Sequence, residues 1–158
     1  MSSKPIGAES EKAQPEKPAD PALRPAPQMT LDTMWWFEAL RRHELLIQRC
    51  TECGRQRHPV RPMCPDCRSL SWDTVVAGGG GEVHSYVVAH HPRIPGFDYP
   101  LVTALIDLAE GTRLLANIVG CAPEDVHIGM PVALEWLDID DERSVAQFRP
   151  VSKPGRAS

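Results

Sequence analysis

No stretch of this chain approaches the roughly 18 consecutive apolar residues needed to cross a bilayer. Its opening, Met1-Ser2-Ser3-Lys4-Pro5, also lacks the apolar core of a secretory signal. A spanning or exported protein is therefore not expected, and the chain reads as cytoplasmic. Large aromatics are scarce, at 6% of residues. Catalytic signatures are scarcer still. There is no Ser or Cys nucleophile motif, no pair of carboxylates set for acid–base work, and no histidine spacing that would ligate a metal. His90 and His91 follow a long alternating stretch, but nothing nearby would give them a catalytic role. The four glycines Gly78 to Gly81 have no Lys-Ser or Lys-Thr after them and lead into Glu82 to Val88, which alternates as a strand. A P-loop and a dinucleotide fingerprint are thereby excluded, and the run reads as a flexible joint.

What the chain does have is proline. The 158 residues contain 16, about twice the usual share. Six of them (5, 15, 18, 21, 25 and 27) fall in residues 1–29, where large apolar side chains are almost missing. Such a segment buries too little surface to offset its ordering entropy, so residues 1–29 read as a disordered linker and residues 152–158 as a flexible tail. Between them lie a helix with a metal-binding ribbon over 30–77 and a barrel over 78–151. Charge divides along the same line. Residues 41–68 hold seven arginines against three carboxylates, whereas residues 69–158 hold twelve carboxylates against six bases. Either an anionic ligand or mutual attraction of the two modules would account for that asymmetry.

Thr30 to His43 reads as a short helix with Asp32 or Thr30 as N-cap and Met34, Phe37 and Leu40 along one stripe. Trp36 flanks the stripe and Trp35 does not fit it. Adjacent helical residues point about 100° apart, so hiding both tryptophans takes either a groove in the fold or a partner that covers the second face. Leu45 to Ile47 reads as a strand entering a metal knuckle. Five further strands are expected, at 82–90, 101–108, 113–119, 132–138 and 144–148, each bounded by turn residues. The fold class is mainly β: an N-terminal helix, a rubredoxin-like zinc ribbon, then a five-stranded OB-fold barrel. Residues 122–126 leave room for only a turn of helix where an OB fold carries a longer one.

Cys50-Thr51-Glu52-Cys53 and Cys64-Pro65-Asp66-Cys67 are two Cys-x-x-Cys knuckles ten residues apart. Together Cys50, Cys53, Cys64 and Cys67 supply four thiolates to one ion, a closed tetrahedral site with no place for a catalytic water. Structural zinc is expected, with rubredoxin-like iron as the chemical alternative. Cys121 stands apart and reads as a small buried hydrophobe. Arg55, Arg57 and Arg61 lie between the knuckles and could hold phosphates of nucleic acid or of coenzyme A, or simply be solvated. A ribbon followed by an OB barrel raises the possibility of nucleic-acid binding. That use needs a basic groove with stacking aromatics, and this barrel is acidic with only Tyr86, Trp136 and Phe148 on its strands.

The order of these elements resembles the acyl-CoA-associated family catalogued as domain of unknown function 35. The residues that carry the resemblance are Trp35-Trp36-Phe37-Glu38, the four knuckle cysteines, Trp72, Gly81-Glu82-Val83 with Tyr86, Pro100, Leu114 to Asn117 with Gly120, Ile128 to Pro131, and Phe148-Arg149-Pro150. The resemblance implies a non-catalytic partner of a thiolase-like aldolase or thiolase, in a hetro-oligomer that cleaves or forms carbon–carbon bonds in an acyl-CoA. It is strongest to the domain that follows a hot-dog hydratase domain in actinobacterial steroid side-chain degradation. The hydratase domain itself is not among these residues, so hydratase activity is not carried over. The aromatic run Trp35, Trp36 and Phe37 offers more surface than one short helix can hide against a small ribbon, so it is expected to meet the partner. Arg55, Arg57 and Arg61 would face a CoA ester at the interface.

Overall fold

The computed structural model describes residues 18–151, so the first 17 residues and the expected tail at 152–158 lie outside it. One helix, α1 (Met34–Arg41), precedes a three-stranded sheet made of β1 (Leu46–Cys50), β2 (Gln56–Arg57) and β3 (Trp72–Val76), in the order β2-β1-β3. The barrel follows: β4 (Gly80–Ala89), β5 (Leu101–Leu108), β6 (Arg113–Ile118), β7 (Pro131–Asp140) and β8 (Arg143–Pro150), closed in the order β4-β5-β6-β8-β7. Every pairing is antiparallel except β6 with β8, where Asn117 and Ile118 lie parallel to Gln147 and Phe148. This is the Greek-key closure of an OB barrel. Only the single turn Pro123–Asp125 stands where a longer helix is usual.

Strict alternation builds the barrel. Along β5 every second residue is buried, so Val102, Ala104, Ile106 and Leu108 face inward. Leu114, Ala116 and Ile118 do the same along β6, and Phe148 fills the centre. All five expected strands form. β6 stops one residue early, at Ile118, whereas β7 and β8 run past their expected limits at both ends.

The helix is shorter than expected because both ends are set by turns. Thr33, not Asp32 or Thr30, precedes it, and the Thr30 carbonyl accepts from the Thr33 and Met34 amides at 3.0 and 2.9 Å. At the other end His43 takes φ 57°, and the His43 and Glu44 amides donate back to Leu40 and Ala39 at 2.9 and 3.0 Å. This is a Schellman stop with histidine in the place glycine usually fills. Its side chain recovers the cost by contact with the barrel, stacking on Trp136 at 5.0 Å and reaching Asp138 at 2.7 Å.

The flexible joint is not found. Leu40 of α1, Leu45, Ile47 and Ala77 share one buried cluster with Val83, Val132 and Phe148 of the barrel, so ribbon and barrel share one hydrophobic core. Gly80 and Gly81 belong to β4, and at Gly79 and Gly81 neighbouring backbone and side chains leave no room for a Cβ. A Cβ on Gly81 would lie 2.7 Å from both the Asp107 carbonyl oxygen and Ile106 Cγ2. One on Gly79, at φ +78°, would lie 2.7 Å from Leu134 Cβ.

Residues 18–29 also depart from the expected linker, since they dock on the barrel. The Ala19 amide donates to Asp98 at 2.7 Å, and Arg24 Nε donates to the Gly96 carbonyl at 2.8 Å.

A close-packed closure and a flexible joint predict different effects of adding one methyl. Gly81→Ala should cost about 1–3 kcal/mol through overpacking, while Gly80→Ala, which meets nothing within 4 Å, should leave the melting temperature nearly unchanged. Thermal unfolding of the two variants checks this. Equal tolerance of both substitutions would restore the flexible joint.

Candidate metal centre and the cleft beside it

The four knuckle cysteines converge: their sulfurs all lie within 4.8 Å of one another. Cys50 Sγ is 3.5 Å from Cys67 Sγ, and Cys53 Sγ is 3.6 Å from Cys64 Sγ. A tetrahedral ion with bonds of about 2.3 Å needs sulfur separations of roughly 3.8 Å, so the donor set fits zinc. Within each knuckle, backbone amides point at the first sulfur. The Cys53 and Glu52 amides hold the Cys50 thiol down to about 6, and the Cys67 and Asp66 amides lower Cys64 in the same way. At Cys53 the Arg55 amide pulls the other way, but burial and the adjacent thiols outweigh it and push the group up to about 12. Four sulfurs so close cannot all ionise without a cation between them. Cys50 and Cys64 are buried while Cys53 and Cys67 reach the surface.

The arm that carries the second knuckle forms one wall of a cleft of about 900 Å³, with the β5–β6 turn opposite. The three arginines of the arm line it but differ in what they can do. Arg55 is paired with Asp66 at 3.4 Å. Arg61 is exposed, and its backbone amide donates to Gln48 Oε1 at 3.0 Å. Arg57 is only 7% exposed. Its Nε donates to Gln48 Oε1 at 3.0 Å and its Nη2 to the Arg61 carbonyl at 3.3 Å, while among the described residues no carboxylate neutralises it and Nη1 has no partner. Across the cleft, Thr112 Oγ1 and Glu110 Oε2 are likewise buried without a partner. Arg113 is engaged with Asp107 at 2.5 Å, and Asp107 also meets His84 at 2.9 Å. Arg113 first and then His84 hold the Asp107 carboxyl below its usual range.

The aromatic run splits between two faces. Trp36 and Phe37 pack against the main core, edge to face at 5.3 Å, with Trp36 Nε1 donating to the Leu46 carbonyl at 3.1 Å. Trp35 turns to the ribbon and lies 5.0 Å from Trp72, centroid to centroid. Its Nε1 is buried and unpartnered. Around that pair Leu31, Met34 and Leu70 are exposed. The groove expected for the helix is thus supplied by its own fold, and the outward apolar surface centres on Trp35 and Trp72.

The remaining candidates are simply placed. His90 and His91 are exposed on the β4–β5 loop. Cys121 is half-buried against the core, and burial raises its thiol. Of the aromatics that could stack bases, Phe148 is fully buried and Trp136 is covered by His43, leaving Tyr86. Sequence reasoning passed over Gln48, a buried amide that positions both Arg57 and Arg61. Its only signal is a polar residue inside the short run that leads into Cys50, buried next to the equally buried Ile47.

Comparison with known proteins gives two adjoining family matches. Residues 37–73 match the ChsH2 rubredoxin-like zinc ribbon domain, and residues 74–137 match the ChsH2 C-terminal OB-fold domain. A Thermomonospora curvata protein named probable enoyl-CoA hydratase alpha subunit is 54% identical over 82% of this chain and 40% of its own length. The 3-oxo-4,17-pregnadiene-20-carboxyl-CoA hydratase alpha subunit of Mycobacterium tuberculosis is 39% identical over 77% of this chain and 39% of its own. This chain therefore spans about two fifths of those relatives. A DUF35 domain-containing scaffold protein of Methanocaldococcus jannaschii is 39% identical over 68% of this chain and 77% of its own length. Among solved structures, a chain of the Ltp2-ChsH2(DUF35) aldolase is 52% identical, with a TM-score of 0.76, covering 79% of this chain and 98% of that one.

Structural zinc contributes on the order of 10 kcal/mol or more of apparent free energy to domains of this size. Purified protein should hold one zinc per chain. Cys64→Ser or Cys67→Ser should abolish stoichiometric metal and lower soluble yield. Elemental analysis decides the matter: iron in place of zinc would favour the electron-carrier chemistry, and no metal would refute the centre.

Proposed function

The chain belongs to the domain of unknown function 35 family in its ChsH2 form, and from that premise we propose that it is a non-catalytic accessory subunit of a thiolase-like acyl-CoA aldolase. The observation that carries this reading is the aldolase structure, one chain of which is matched over 98% of its own length and 79% of this protein's at 52% identity. The substrate reading, a steroid acyl-CoA whose side chain is cleaved, takes its support from the steroid-CoA hydratase alpha subunit. Since this chain spans only part of that relative, hydratase activity is not proposed for it.

The geometry supports a positional role. Among the described residues the metal donors form a closed set of four thiolates, and the Ser144 hydroxyl that donates to Asp138 beside His43 is buried in the junction of helix and barrel, outside the cleft. The thiolase-like subunit would supply the nucleophile and the acid–base groups. Trp35, with Trp72 and Met34 beside it, is the surface proposed to meet that subunit, since aromatic anchors dominate interfaces. Trp36 and Phe37 would support it from behind. The cleft wall is proposed to face the CoA ester: Arg57 is a buried guanidinium without a carboxylate, Arg61 is exposed beside it, and an oxyanion would complete both. Arg55, already paired with Asp66, would contribute least.

Co-expression with the thiolase-like subunit should give one species by size exclusion, with acyl-CoA cleavage only when both chains are present. Trp35→Ala should weaken assembly while zinc stays bound. Arg61→Glu should leave assembly intact and raise KM for the CoA ester about tenfold, the equivalent of roughly 1.4 kcal/mol. Full activity of the partner alone would end the accessory reading.

A further inference from the structure

Barrels of this topology take ligands on the face of their second and third strands, between the loop that joins strands one and two and the loop that joins strands four and five. In this chain those parts are β5 and β6, residues 90–100 and residues 141–142. The mouth they form is crossed by the chain's own N-terminal strap. Residues 19–27 share with the barrel two grooves, of about 290 and 330 Å³, walled by the loop at 96–98, by Leu114 to Gly120 and by Arg143.

The strap is held through one arginine and its backbone. Arg24 lies over the Phe97 ring, 4.4 Å from its centroid, while its Nε donates to the Gly96 carbonyl at 2.8 Å. From the other side Arg143 Nη1 donates to the Arg24 carbonyl at 3.2 Å. The Ala19 amide is anchored on Asp98 at 2.7 Å, and between these points Asp20 caps the tight turn Pro21–Leu23 by accepting from the Ala22 amide at 3.0 Å. Apolar burial contributes little, since Leu23 is 61% exposed. The loop is shaped to admit a backbone: Gly96 has φ +85°, and a Cβ there would lie 2.5 Å from the Arg24 nitrogen.

We propose that this face of the barrel is a peptide-docking site that reads an arginine-proline segment entering through a tight turn, and that residues 18–27 are its resident ligand, closing the face to nucleic acid. Recognition is by a planar guanidinium stacked on an aromatic and hydrogen-bonded to a carbonyl, a pairing lysine does not reproduce. The contacts are few and polar, so a segment of the same chemistry supplied in trans competes for them. This inference is independent of the proposed partner and of the cleft at Arg57.

The test uses the full chain and a fluorescein-labelled peptide of residues 18–29. Arg24→Ala should release the strap, leave the socket intact and bind the peptide at least tenfold more tightly than the wild type, whose face is filled. Gly96→Ala blocks the socket itself, so it should bind no peptide, and in that variant the Ala19 amide should lose its hydrogen-exchange protection. Slow exchange in β5 and β6 serves as the folding control, because both substitutions lie outside the core cluster. Equal peptide binding by the three proteins, no binding to Arg24→Ala, or fast exchange of the Ala19 amide in the wild type would overturn the proposal. So would single-stranded oligonucleotide binding to the wild type at physiological salt.

Discussion

Four thiolates around one ion are the constraint on which the functional surfaces rest. Between Thr51 and Ser71 only Arg57 and Cys64 are buried, so this arm has no apolar core and cannot hold its shape by the hydrophobic effect. Coordination replaces the missing core. By fixing both knuckles it sets where Arg57 and Arg61 stand, and it delivers the chain to β3, where Trp72 meets Trp35. The cleft wall and the outer aromatic pair are thus both downstream of the metal. The barrel, which has its own alternating core, is not.

Ribbon and barrel nevertheless act as one body. Their apolar residues form a single cluster, and the helix between linker and ribbon ends on a left-handed histidine that is itself clamped by Trp136 and Asp138. Asp138 in turn accepts from Ser144 at 2.6 Å, which together with His43 keeps its carboxyl below the usual range. Because the native state favours the ionised form, this contribution is present above the ordinary aspartate range and fades as pH falls through the depressed value.

What could be read in the sequence was whatever rests on local spacing. The knuckles are legible because a thiolate pair two residues apart already has metal geometry, and the barrel strands because half-buried strands alternate. The rest depends on tertiary contact. A glycine run needed for close approach at Gly79 and Gly81 has the same composition as a flexible joint, and only the atoms opposite distinguish the two. The strap carries no apolar periodicity, since an arginine and backbone groups hold it, so an argument from burial passes over it. Trp35 looked misplaced on its helix because its partner, Trp72, sits at the start of a strand that no turn signal announced. The arginines were found as a group, yet their different fates follow from one buried amide, Gln48, that spacing does not reveal.

The pattern of spent and unspent charge bears on what an accessory chain can contribute. Three barrel arginines have a carboxylate: Arg113 has Asp107, Arg143 has Asp140, and Arg149 has Glu135. Arg49 and Arg55 on the ribbon are paired as well. Arg57 is buried with no carboxylate partner among the described residues, and burying an uncompensated guanidinium costs several kcal/mol unless hydrogen bonds and a counter-charge offset it. The fold provides the hydrogen bonds from Gln48 and Arg61 but not the counter-charge. A chain that rigidly holds such a group at the lip of a cleft is suited to positioning an anionic ligand, which is what the proposed accessory role asks of it.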